Sequence, residues 1–194
     1  IESVWWVFAE LYKKELVYHG TRVSLFCPRC STPLSNFEIA MGNSYTDRED
    51  PAIYIKFPVA GEEKTFFLAW TTTPWTLPSN TGLAVHPELT YVKVRVQETG
   101  EVLIFAQSRA EEVLKEWGGL EAGVAKILVL GTMKGSELVG MTYEPLYRFV
   151  EGVEGGFRVV SGEHVTADDG TGIVHTAPAY GEEDLRMSRE HGLP

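Results

Sequence analysis

The stretch Ile53-Tyr54-Ile55-Lys56-Phe57-Pro58-Val59-Ala60-Gly61-Glu62-Glu63-Lys64-Thr65-Phe66-Phe67-Leu68-Ala69-Trp70-Thr71-Thr72 decides the fold. Ile53, Ile55, Phe57 and Val59 alternate with Tyr54 and Lys56, the period of a strand with one buried face. Gly61-Glu62-Glu63 supplies a turn, and Thr65 to Thr72 reads as the returning strand of a β-hairpin. Similar short runs follow at Leu83 to Val85, Val92 to Val96, Val102 to Phe105, Lys126 to Leu130, Tyr143 to Val150, Phe157 to Val160 and Gly172 to Thr176, with glycines between most of them. Many short antiparallel strands with few helices predict a mixed, mainly-β fold: a closed or nearly closed barrel-like core with peripheral helices.

Three segments carry helical signals. Val4, Val7, Phe8 and Leu11 fall at i, i+3, i+4 and i+7, an amphipathic pattern expected to end near His19-Gly20. Ser108-Arg109-Ala110-Glu111 has the spacing of a capping box and predicts a short helix ending at Trp117-Gly118. Glu182 to His191 has acidic residues in its first turn, Arg189 and His191 in its last, and Gly192 as a stop. Between Val23 and Asn43, Pro28 and Pro33 break the chain into a hairpin or knuckle.

The composition bounds the function. The 194 residues are 44% apolar and 23% charged, enough for a globular core and unlike a disordered or collagenous chain. Seventeen Lys and Arg against 27 Asp and Glu give a net charge of −10, with no basic cluster to support autonomous nucleic-acid binding. The longest apolar runs, Phe66 to Trp70 and Ile127 to Leu130, fall far short of the ~20 residues of a membrane-crossing helix. Two cysteines do not make a disulfide framework and point to a reducing, cytoplasmic setting. The start at Ile1 reads as a piece of a longer cytosolic protein.

Three segments could carry chemistry. Cys27-Pro28-Arg29-Cys30 has zinc-knuckle spacing but only half a ligand set, so two thiols in a tight turn are preferred and no metal ligand is assigned. Thr71-Thr72-Thr73 ends a strand before Pro74, placing hydroxyls at a rim where they could hold a water or a carbonyl; edge decoration is the plainer alternative. Gly170-Thr171-Gly172 turns into a short strand ending near His175, and the Pro178 to Gly181 loop leads to an acidic helix start at Asp184. His175 and Asp184 could thus face one pocket, or serve as a half-buried histidine and a helix-dipole partner. No phosphate loop or Ser-His-Asp order occurs, so any enzyme here is expected to be a hydrolase that positions water.

Thr71-Thr-Thr-Pro-Trp-Thr-Leu-Pro-Ser-Asn-Thr-Gly-Leu-Ala-Val85 and Gly170-Thr-Gly-Ile-Val-His-Thr-Ala-Pro-Ala-Tyr-Gly-Glu-Glu-Asp184 together resemble the inserted editing domain of isoleucyl-tRNA synthetases. Glu2-Ser-Val-Trp-Trp-Val-Phe and Pro51-Ala-Ile-Tyr-Ile-Lys-Phe extend the likeness over nearly the whole chain, and Thr73 stands where the valine and leucine enzymes would carry Arg. The resemblance implies that 1–194 is a single editing domain of a class I synthetase, hydrolysing valine misattached to isoleucine tRNA, with valyl-adenylate as a further candidate substrate. Its partners would be the mischarged 3′ end and the rest of the synthetase, with no membrane and no cofactor for editing. Neither synthetase signature of amino-acid activation occurs, so ATP chemistry belongs to the remainder.

By the same resemblance Asp184 binds the α-ammonium, His175 walls out isoleucine, and Thr71, Thr72, Thr73 and Asn80 line the site and help place the ester and the water. Trp75 is a rim residue touching the tRNA end, and Asp184, Thr72 and His175 form the expected catalytic set. A non-catalytic tRNA-docking insertion, a metal module on Cys27 and Cys30, and the valyl or leucyl editing domain are the alternatives.

Overall fold

The computed structural model describes residues 1–116, 127–149 and 153–194. These residues gather into two compact units, Ile1–Ser44 and Tyr45–Pro194.

In the first unit, helix α1 spans Glu2–Lys13, shorter than the pattern predicted. Glu15 adopts φ 58°, a left-handed conformation that ends helical hydrogen bonding before His19. Strands β1 (Phe26–Cys27) and β2 (Thr32–Pro33) form the expected small antiparallel hairpin, and α2 covers Asn36–Ile39. A capping box forms at Ser35: its Oγ accepts from the Glu38 amide while the Glu38 carboxylate accepts from the Ser35 amide.

The second unit holds β3 (Ile53–Pro58), β4 (Thr65–Thr71), β5 (Gly82–Val85), β6 (Thr90–Val96), β7 (Val102–Ala106), β8 (Ile127–Lys134), β9 (Arg158–Ser161) and β10 (Ile173–Thr176). A 3-10 turn at Pro74–Ser79 follows β4, α3 covers Ala110–Glu116, α4 covers Gly135–Leu138 and α5 covers Glu182–His191. The hairpin that opened the sequence reading is present, β3 pairing with β4 from Ile53 opposite Thr71 to Pro58 opposite Phe66.

The fold is mixed and mainly β, but the described strands of this unit form two open sheets and no closed barrel. One sheet runs β3-β4-β7-β6-β8 and the other β10-β5-β9. The antiparallel expectation also needs correction, because β4 pairs with β7 and β5 with β9 in parallel. Alternation within a strand shows which face is buried and says nothing of which later strand it meets. The predicted strand from Tyr143 reduces to isolated bridges at Thr142 and Tyr143; Pro145 cannot donate to a ladder, and Val150 lies outside the described residues. The helix end at Trp117-Gly118 and the strand start at Lys126 also lie outside them.

Core packing arranges this unit in four layers. Ile55, Phe57, Phe67 and Ile104 of the larger sheet share one cluster with Leu83, Val85, Val159 and Ile173 of the smaller. Alternate residues Leu68, Val92, Val94, Leu103 and Phe105 project from the other face of the larger sheet and meet Val113 of α3. Ala84 and Val160 on the outer face of the smaller sheet pack with Met187 of α5 and with Leu193. Full burial of a side chain such as Phe57 or Phe67 contributes roughly 1.5–3 kcal/mol.

The helix start expected at Ser108 differs in detail, since Gln107–Arg109 is already a 3-10 turn and Ser108 is not in the extended conformation of a cap. The prediction for α5 matches to the residue, with Gly192 in the left-handed conformation at φ 61° closing it.

Candidate functional site

Two loops meet where β4 and β10 lie against each other. The first leaves β4 at Thr71 and runs through the 3-10 turn to Asn80; the second leaves β10 at Thr176 and enters α5.

Hydroxyls organise the first loop. Thr71, buried, accepts from the Thr73 amide at 3.0 Å, and the two hydroxyl oxygens lie 3.2 Å apart. Thr76 donates its hydroxyl proton to the Thr73 carbonyl at 2.8 Å, a side-chain closure of the turn that Pro74 begins. Thr72 and Thr73 are exposed at this bend, and Trp75 is 63% exposed on its rim.

Strand β10 brings His175 to the first loop. His175 is only 7% exposed, and its Nε2 lies 2.8 Å from Thr76 Oγ1. Because Thr76 spends its one proton on the Thr73 carbonyl, it accepts from the histidine, which fixes the proton on Nε2. Nδ1 is buried without a hydrogen-bond partner among the described residues. Burial holds the imidazole below its ordinary pKa, against an opposing pull from the Asp184 carboxylate, so the ring is neutral at pH 7.

Asp184 sits in the first turn of α5 beside Glu182 and Glu183. Its Oδ2 accepts from the Ala177 amide at 2.9 Å, which ties the helix start to the end of β10. A carboxylate in this position complements the positive end of the helix dipole and can hold a cation.

Asn80 fastens the two loops. Its amide nitrogen donates to the Gly82 carbonyl at 2.8 Å and lies 3.5 Å from the Thr176 carbonyl, while its oxygen accepts from the Tyr143 hydroxyl at 2.5 Å. The predicted residues are thereby joined in one network: Thr71, Thr73 and His175 through Thr76, Asn80 through Thr176, and Asp184 through Ala177 and its field on His175. Thr72 and Trp75 share the bend without a role in that network. An apolar cavity of about 310 Å³ borders the same loops at Ser79–Thr81 and Pro178–Ala179, but His175, Asp184 and Thr71–Thr73 do not line it.

Sequence reasoning passed over Thr76 and Tyr143. Thr76 stood inside the quoted motif, and its spacing of three residues from Thr73 across Pro74 was the available signal. Tyr143 lies 63 residues from Asn80, with no local signal.

Beneath the second loop, Gly172 has φ +69°, and a Cβ there would lie 2.5 Å from Ala106 Cβ. Its carbonyl accepts from the buried Tyr91 hydroxyl at 2.7 Å, a phenol that burial pushes up to about 12. In the first unit, Cys27 and Cys30 are free thiols, with the Cys30 amide donating to Cys27 Sγ at 3.4 Å. Among the described residues no three His, Cys, Asp or Glu gather as metal ligands.

The two-sheet fold is that of synthetase editing domains. The crystal structure of GlLeuRS-CP1 matches with a TM-score of 0.57 at 19% identity, covering 74% of this chain and 65% of that one. The P. knowlesi cytosolic leucyl-tRNA synthetase editing domain matches with a TM-score of 0.52 at 16% identity, covering 66% and 52%. Residues 1–166 match the family model of tRNA synthetases class I (I, L, M and V), and the chain belongs to that family.

Within it, the chain is 46% identical over 194 residues to the isoleucine–tRNA ligase of Clostridium tetani and 44% identical over 195 to the probable cytoplasmic isoleucine–tRNA ligase of Dictyostelium discoideum. Each likeness covers 100% of this chain but only 18% and 17% of those proteins.

Proposed function

We propose that this chain is the editing module of an isoleucine–tRNA ligase and hydrolyses valine esterified to isoleucine tRNA, with valyl-adenylate as a second substrate. The observation that carries the reading is a buried histidine held 2.8 Å from Thr76 and within the field of the Asp184 carboxylate. A rigid wall next to an ammonium-binding group selects by size among small amino acids.

The need for such a wall is energetic. A pocket that binds isoleucine distinguishes valine by one methylene, worth only ~1–3 kcal/mol. A second site that admits valine and overlaps isoleucine multiplies that discrimination, because close-packed atoms refuse extra volume more strongly than a missing contact rejects its absence.

In this reading Asp184 holds the α-ammonium, and the Ala177 amide keeps the carboxylate in place. His175 presents its ring as bulk. Thr71 and Thr73 shape the bend, Thr72 offers a hydroxyl to the ester and the attacking water, Trp75 meets the tRNA end, and Asn80 holds the loops in register. Water is the nucleophile, since the imidazole beside a threonine hydroxyl, His175 at Thr76, donates to it and so does not take its proton, and the reaction uses no cofactor. Amino-acid activation and most tRNA binding belong to other parts of a synthetase.

Asp184→Asn tests the assignment, because it retains an oxygen acceptor for the Ala177 amide while removing the charge. In the full-length synthetase, valyl-tRNA deacylation falls about 10²-fold, as expected when a substrate is mispositioned. The melting temperature changes little, since a charge at a helix start contributes only ~0.3–1 kcal/mol. Retained hydrolysis would remove Asp184 from the site.

A further inference from the structure

We infer that Tyr143 is a positioning residue of this site, acting through Asn80 to hold the threonine turn against the strand that carries His175. The inference rests on the editing reading for its kinetic consequence.

The amide of Asn80 has one orientation. Its nitrogen faces the Gly82 and Thr176 carbonyls, which can only accept, so its oxygen faces Tyr143 and needs a donor. The Tyr143 hydroxyl is that donor, at 2.5 Å in a buried environment where no competing solvent reaches the pair. Burial pushes the phenol far above its ordinary range, so it remains a protonated donor at every working pH.

The bond sits at a junction. Asn80 caps the 3-10 turn that carries Trp75 and Thr76, and its nitrogen faces the end of β10 one residue beyond His175. Tyr143 is itself fixed: its amide donates to the Phe157 carbonyl at 2.9 Å, and its ring meets Phe57 and Phe157 edge-on at 5.3 and 6.0 Å. Loss of the hydroxyl leaves the ring packing intact but strands the Asn80 oxygen. A buried oxygen without a donor favours rotation of the amide, which releases the Gly82 carbonyl and the long contact to Thr176, leaving the Thr81 amide at 3.0 Å as the remaining tie between the turn and the end of β10 and letting the turn shift about it. His175 and Thr76, placed by those two elements, then lose their common register.

The test is Tyr143→Phe, Asn80→Ala and the double variant in the full-length synthetase. The expected result is a roughly tenfold fall in kcat for valyl-tRNA deacylation by Tyr143→Phe with KM unchanged, and a double variant no worse than Asn80→Ala alone. An unchanged kcat, or losses that add in the double variant, overturns the inference. A second readout does not depend on activity: imidazole ¹⁵N resonances of His175 should move in Tyr143→Phe, and unmoved resonances also overturn it. Absence of deacylation by the unaltered protein would reject the editing reading, leaving the resonances to judge Tyr143.

Discussion

Thr76 Oγ1 and His175 Nε2 lie 2.8 Å apart although 99 residues separate them in the chain. Since the Thr76 proton is committed to the Thr73 carbonyl, this contact sets both the tautomer and the orientation of the histidine. Thr76→Val keeps the shape and removes the acceptor, leaving a buried N–H unpaired at a cost of about 1–3 kcal/mol. Chemical denaturation should register that loss, deacylation should discriminate valine from isoleucine less well, and Thr76→Ser should behave nearly as the original protein. Equal stability of the valine and serine variants would show that the contact holds nothing.

Stability should also depend on pH through His175. Its pKa in the folded protein lies below the ordinary 6.5, so the unfolded chain binds the proton first as pH falls. The stabilisation is full above about pH 6.5 and is progressively lost below it, down to the folded value. The melting temperature of the original protein should therefore fall through this window more steeply than that of His175→Gln, measured in one buffer series. Parallel curves would place the titration elsewhere.

The sequence was most informative where neighbours in the chain are neighbours in space. The β3–β4 hairpin follows from alternation about Gly61, and α5 from its charges and Gly192. Sheet partnership was not legible, because Thr65 opposite Val102 and Gly82 opposite Arg158 are parallel pairings across long connections. The two quoted motifs do come together in space, Thr71 and Thr73 near His175 and Asp184, and their part in catalysis is the proposal made above. Their joinery was not legible: the acceptor for His175 and the donor for Asn80 come from Thr76 and Tyr143, each defined only once the sheets meet. Capping arithmetic failed at Ser108 because a 3-10 turn begins one residue earlier.

Gly172 should tolerate no side chain. Gly172→Ala would put a methyl group 2.5 Å from Ala106 Cβ at a positive φ, combining overlap with backbone strain. A loss of about 1–3 kcal/mol in urea unfolding is expected, together with reduced deacylation, since β10 carries His175 three residues on. A variant of unchanged stability would mean that β10 and Ala106 separate freely.

The central claim is that His175 selects by bulk, and deacylation of two substrates by one variant tests it most directly. His175→Ala in the full-length synthetase is predicted to hydrolyse isoleucyl-tRNA, which the original protein should spare, while keeping much of its valyl-tRNA activity, since the proposed hold of Asp184 on the ammonium is untouched. Loss of a general base would instead lower hydrolysis by ~10²–10⁴-fold. Equal collapse on both substrates, with isoleucyl-tRNA still spared, would contradict the account.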